Sequence, residues 1–183
     1  MAEPMWASGT EPRAILINGT VGAGKTSTAD AVGELLTTAG VPHAVLDVDA
    51  LRQAWPAPVN DPFHGELTLA NLAAVARNFV AAGSRRLVLA GVIETKEDRV
   101  RYQAAVGMPL TVVRLRVALP VIRERLRLRH LDAPGARDWH LARLPELHAI
   151  LETADIDDSV VEATGRSRLE VAAAVLQVSA APG

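Results

Sequence analysis

Gly19, Gly24, Lys25 and Thr26 stand in the order G-x-x-x-x-G-K-T within NGTVGAGKTS, residues 18–27. This spacing makes a loop whose backbone N–H groups converge on one anion, because glycines allow tight turns that side chains obstruct. A helix opening at Lys25 adds the positive end of its dipole. Lys25 then reaches the terminal phosphates of a nucleotide, and Thr26 offers its hydroxyl to Mg²⁺. Thr20, Val21, Gly22, Ala23 and Ser27 complete the predicted cradle. The motif needs a strand before it and a helix after it. Ala14-Ile15-Leu16-Ile17 and the helix-compatible run Lys25–Ala39 supply both, which a chance glycine turn would lack. The loop leaves open what the phosphate is for: transfer to a small molecule, hydrolysis that drives a motion, or occupancy alone.

A second constellation lies in HAVLDVDALRQAW. Asp47 and Asp49 are two apart, so in extended chain they point to the same side. In a parallel sheet ligands gather at the carboxyl ends of strands, which places Asp49 near the phosphate loop. A carboxylate there accepts a proton from an attacking hydroxyl or holds Mg²⁺ through water. Its alternative role is to cap the short helix that follows, and Asp47 reads as support. Arg52 is placed to clamp an anionic group, or is a solvated side chain. Three prolines exclude regular structure from WPAPVNDPFHG, where Trp55 and Phe63 are expected to wall an acceptor pocket. His64 reads as an incidental loop histidine. The third predicted strand, RRLVLAGVIET, ends without an aspartate. Glu94 is the acid nearby, and the magnesium-associated role stays open between it, Asp47 and Asp49.

These groups need a frame to position them. Apolar runs bounded by turn signals predict five strands: Ala14–Asn18, His43–Val48, Arg86–Ile93, Leu110–Val117 and Ser159–Ala163. Helical patterns alternate with them over Lys25–Ala39, Gly65–Ala82, Lys96–Val106, Leu119–Arg129, Arg137–Thr153 and Ser167–Val178. Ser167 and Glu170 make a capping box. Alternating strands and helices imply an α/β fold with a parallel sheet covered on both faces. The 183 residues suit one unit, residues 13–183, after a loose tail over 1–12. A net charge of −2 argues against a nucleic-acid-coating surface. The absence of cysteine excludes disulfides, thiolate metal sites and a cysteine nucleophile. No apolar stretch reaches the ~18 residues of a membrane helix, and MAEPMWASGTEPR does not read as a signal peptide, so a cytoplasmic protein is expected.

The loop together with VDALRQAWP resembles the chloramphenicol phosphotransferases and, more loosely, adenylylsulfate and gluconate kinases. The specific match covers about the first fifty residues of the 13–178 stretch. The resemblance implies a three-layer P-loop NTPase fold with strand order 2-3-1-4-5, and places Asp49 on the position of the family's base. It also implies a helical lid after the fourth strand, here about residues 123–143, that closes arginines over the phosphates. RERLRLR and the following residues supply Arg125, Arg129 and Arg137 for it, with Ala133–Ala136 as a flexible tip; a solvated basic face is the alternative. ATGRSRLEV resembles the turn that backs the adenine ring, with Gly165 for close approach and Arg166 beside the base. The implied activity is ATP- and Mg²⁺-dependent phosphoryl transfer to a hydroxyl of a small organic molecule, such as an antibiotic or a nucleoside, without nucleic-acid or membrane partners. The rivals are a regulatory ATPase and an adenylylsulfate or nucleoside monophosphate kinase.

Overall fold

Both faces of a parallel sheet are covered, so its strands must be apolar on both sides. The computed structural model describes residues 11–129 and 134–180. The apolar runs form β1 (Arg13–Asn18), β2 (His43–Asp47), β3 (Arg86–Ala90), β4 (Leu110–Arg116) and β5 (Ser159–Glu162). They make one parallel sheet in the order β2-β3-β1-β4-β5. The helices are α1 (Lys25–Thr38), α2 (Gly65–Ala81), α3 (Lys96–Val106), α4 (Leu119–Arg129), α5 (Pro134–Thr153) and α6 (Arg168–Ser179). This is the α/β architecture that the alternating pattern predicts, with the strand order that the resemblance implies.

Alternation along the strands sorts the core into two layers. Ile15, Ile17, Val88, Val113 and Leu115 pack with Val32 and Leu36 of α1 and Val175 and Leu176 of α6. Ala14, Leu16, Leu87, Leu89 and Val112 pack with Leu72 of α2, Tyr102 of α3 and Leu147 and Leu151 of α5. Leu16, Ile17, Leu36 and Leu72 are among the fully buried side chains. Each such side chain contributes about 1.5–3 kcal/mol relative to exposure, so these two layers hold the sheet far more strongly than its surface ion pairs. The strand order puts β1 between β3 and β4. The chain runs from β1 to β2 on one side and places β4 on the other. A crevice therefore opens at the carboxyl end of β1, where ligands of open α/β sheets bind.

Two boundaries differ from expectation in a way that matters for the site. β3 stops at Ala90 rather than Ile93. Its neighbour β1 turns into the phosphate loop at Gly19, so the last ladder-like bond is Gly91 N–H to the Ile17 carbonyl at 3.2 Å. The residues beyond have no strand to pair with. α5 begins at Pro134 rather than Arg137, because proline with its fixed φ and missing N–H suits a first helical turn. Residues 134–136 are thus helical rather than a flexible tip; Ala133 lies outside the described residues. The capping box of Ser167 and Glu170 is present as predicted.

Candidate functional site

The phosphate loop follows β1 directly, and glycine is required where it bends. Gly19 has φ 143°, and a Cβ there would lie 2.9 Å from the Leu115 carbonyl oxygen. Gly22 has φ 79°, and a Cβ would press on Ile122 at 3.1 Å. At Gly19 an L-residue would have to move the backbone of β4, and at Gly22 it would be strained by the positive φ and pressed by the Ile122 side chain. Asn18, fully buried, accepts from the Gly19 N–H at 2.9 Å. Lys25 folds back on the loop and donates to the carbonyls of Gly19 at 3.0 Å and Thr20 at 3.1 Å.

The end of β2 and the turn after it bring two carboxylates to the same place. Thr26 Oγ1 donates to Asp47 Oδ2 at 2.8 Å. The other oxygen of Asp47 accepts from the Asp49 N–H at 3.0 Å and so caps a 3-10 helix over Val48–Arg52. The chain therefore winds up immediately after Asp47. Asp47 and Asp49 do not share a side by strand alternation; they come together because one caps the turn that carries the other. Asp47, read from sequence as support, is the carboxylate that touches Thr26. Asp49 is two-thirds exposed and pairs with Arg52 at 3.2 Å.

One cavity of about 640 Å³ collects most of these groups. Its wall includes residues 21–28 of the phosphate loop and α1, both aspartates, Arg125 of α4, and Ala163, Arg166, Arg168 and Val171 around the start of α6. Arg125 Nη1 donates to the Gly22 carbonyl at 3.3 Å, lying over the loop as a lid arginine would. Arg166 is held by the carbonyls of Glu162 at 3.1 Å and Glu170 at 2.9 Å, which fixes its guanidinium plane beside the cavity. The Gly165 turn that carries it has φ 72°.

Several predicted site residues stand elsewhere. Arg137 pairs with its neighbour Asp138 at 3.0 Å and lines no part of the cavity. The Arg129 side chain lies outside the described residues. Trp55 and Phe63 are 93% and 77% exposed, and neither they nor Arg52 reach the cavity wall. The irregular segment that carries them is as predicted. Glu94 is taken by Arg143 of α5 at 2.8 Å, away from the cavity.

Two residues were not foreseen. Arg168 lines the cavity and pairs with Glu34 of α1 at 2.7 Å. Its neighbour Arg166 was a signal, but the partner became visible only when α1 and α6 packed together. Tyr102, buried in α3, lies within the fields of Arg52 and Asp49. Burial first, and then Asp98 and Asp49, push its phenol pKa up, while Arg52 and Arg101 oppose the shift.

A glycine loop at a helix start, a lysine and a threonine within it, and a carboxylate bonded to that threonine define a nucleotide-binding α/β protein. The chain belongs to the AAA domain family, whose model matches residues 15–139. Sequence comparison with curated proteins finds no match. Among solved structures, the tunicamycin resistance protein of Deinococcus radiodurans is similar with TM-score 0.63 at 22% identity, over 90% of this chain and 93% of that one. A gluconokinase from Sinorhizobium meliloti 1021 aligns with TM-score 0.59 at 20% identity, over 94% and 95% of the two chains. The Mycobacterium tuberculosis APS kinase CysC, in complex with AMPPNP and APS, aligns with TM-score 0.59 at 22% identity, over 94% and 100%. At these identities the likeness is one of fold.

Proposed function

We propose that the protein is an ATP-dependent phosphotransferase acting on a hydroxyl of a small organic molecule. The observation that carries this reading is the meeting of two carboxylates with the phosphate loop on one cavity, Asp47 on Thr26 and Asp49 beside it. The cavity suits a nucleotide: backbone N–H groups at the start of α1 for phosphates, Lys25 and Arg125 for their charge, and Arg166 and Arg168 toward the base. Thr26 and Asp47 would hold Mg²⁺. No group of three or more metal-binding acids or histidines exists among the described residues, which fits an ion completed by phosphates and water rather than a protein cage. The ion, when bound, neutralises charge on the transferring phosphoryl group.

Asp49 is then the group that orients or deprotonates the acceptor hydroxyl, because it faces the cavity and Asp47 is engaged with Thr26. Arg52, as the partner of Asp49, sets that carboxylate's direction. Transfer rests on positioning and charge. We take residues 13–183 as one catalytic unit, with the arm around 123–143 as its lid, and read the protein as cytoplasmic. Among the described residues no helix is long and apolar enough to cross a membrane.

The rivals draw less support. A motor-type ATPase needs an acid to orient water after β3, and Glu94 is bound to Arg143 there. A nucleoside monophosphate kinase needs arginines for a second anion. Arg52 is paired with Asp49, and Arg77 bonds the Ala73 carbonyl of its own helix. The test is ADP release from Mg²⁺-ATP across a panel of hydroxylated compounds, with mass spectrometry of each mixture. An acceptor that gains about 80 Da, the mass of one phosphoryl unit, carries the proposal. ADP release that no acceptor stimulates shifts the reading to a regulatory ATPase.

A further inference from the structure

We infer that Asp157 and Arg114, both outside the cavity, are positioning residues for the phosphate loop: they anchor the Asn18 amide, and through it the Gly19 N–H, to the rigid part of the sheet. This rests on the nucleotide-binding part of the reading above. Asn18 closes β1 and uses every hydrogen-bonding direction of its side chain. Its Oδ1 accepts from the N–H groups of Gly19 at 2.9 Å and Ile93 at 3.3 Å. Its Nδ2 donates to the Ile93 carbonyl at 3.2 Å and to Asp157 Oδ1 at 3.3 Å. Gly19 and Ile93 both belong to irregular chain, the phosphate loop and the segment where β3 has lost its neighbour. Neither can fix the amide, since the amide is what holds them. Asp157 is the remaining partner.

Asp157 is in turn held from the sheet. Arg114 of β4 stands opposite Asn18 in the β1–β4 register, and its Nε lies 2.7 Å from Asp157 Oδ2. Arg114 also donates to Glu152 at the end of α5 at 2.6 Å. The side chains of Arg114 and Asp157 are each 8% exposed. Arg114 occupies the row of β4 that Leu110 and Val112 fill with apolar side chains. An ion pair buried in such a row is a poor way to gain stability, because desolvation offsets the attraction. What it provides is chemistry: an ionised carboxylate only accepts, so it selects the Nδ2 end of Asn18 and leaves Oδ1 for Gly19. Asp157 thereby aims the first N–H of the loop without touching the cavity.

The test compares wild type with Asp157→Asn, Asn18→Asp and the double variant. The readouts are the AMPPNP dissociation constant, amide exchange of Gly19 by NMR, and Tm. Asp157→Asn should weaken AMPPNP about tenfold, as expected for one misdirected buried hydrogen bond, and speed Gly19 exchange. Asn18→Asp should weaken it further, with two carboxylates face to face. The double variant should recover part of the loss, because donor and acceptor have exchanged places. A lowered Tm with unchanged affinity and unchanged Gly19 exchange would make the network merely structural and overturn the inference. If wild type fails to bind AMPPNP, the nucleotide reading falls, and Gly19 exchange alone still decides the inference. Should Asp157→Asn not fold, Arg114→Lys keeps the charge but cannot bridge Asp157 and Glu152, and the same readouts apply.

Discussion

The two ends of the candidate site are built from different materials. At the phosphate end the backbone is the binding surface. Gly19 cannot carry a Cβ, Asn18 is saturated with hydrogen bonds, and Lys25, Asp47 and Arg125 are all tied to the loop or its first helical residues. At the proposed acceptor end, outside the cavity wall, the chain between residues 53 and 64 is irregular, and Trp55, Val59 and Phe63 stand 93%, 97% and 77% exposed. On the proposed reading the difference follows from what each end would recognise. Every nucleotide presents the same phosphate chain, so a preformed backbone cradle would serve it. An acceptor varies from enzyme to enzyme on one fold, so its determinants sit on loops that the fold does not dictate.

If this division is right, Asp49→Asn should break it most sharply, because that residue sits at the seam. Phosphoryl transfer should fall by about 10²–10⁴-fold, the usual range for removing a positioned base, while AMPPNP binding stays near wild type. Retained transfer would remove Asp49 from the mechanism. Lys25→Ala should act on the other side of the seam and reduce transfer by about 10²–10³-fold together with weaker AMPPNP binding. A drop in turnover with intact affinity would show that Lys25 works only in the transition state. Gly19→Ala adds a methyl 2.9 Å from the Leu115 carbonyl oxygen at φ 143°, so it should lower stability by about 1–3 kcal/mol and abolish AMPPNP binding. Calorimetric unfolding together with titration checks both.

The acceptor end calls for smaller effects of another kind. Trp55→Ser and Phe63→Ser remove exposed surface and should change Tm little, within about 0.5 kcal/mol of stability. If the segment folds over the acceptor, the acceptor KM should rise several-fold and the KM for ATP should not move. Unchanged kinetics for both would take these aromatics out of the site.

What was legible in the sequence follows the same division. The glycine loop was legible because its spacing is the mechanism. The strands were legible because a sheet buried on both faces leaves little but apolar residues in them. The end of β3 was not, since it depends on where another strand turns away. The roles of Asp47 and Asp49 were blurred by assuming extended chain through both, whereas Asp47 caps a 3-10 helix that starts at Val48. The bonds from Arg168 to Glu34 and from Asn18 to Asp157 join residues 134 and 139 positions apart, and no local pattern encodes them. Arg137 shows the converse. Its place in an arginine-rich stretch suggested the phosphates, yet a neighbouring aspartate holds it in this conformation.

The last and smallest expected effect concerns the charge behind the loop. Burial raises the pKa of Asp157 above its ordinary 3.8, with Asp158 adding to the shift and with Asn18 and Arg114 opposing it. A group whose pKa is higher in the folded protein binds its proton more tightly there. The stability it lends is complete below 3.8 and is lost as pH rises through its folded-state value. The ionised form that aims Asn18 is therefore the less stable form of the fold. Asp157→Asn removes the titration, and with it the attraction of Arg114 for the ionised carboxylate, which the folded-state pKa already contains. The difference in Tm between wild type and variant should then shift against wild type as pH rises from 3.8 toward neutrality, and level off above it. A difference that stays flat would mean that Asn18 and Arg114 fully offset burial, and that this carboxylate aims the loop without costing stability.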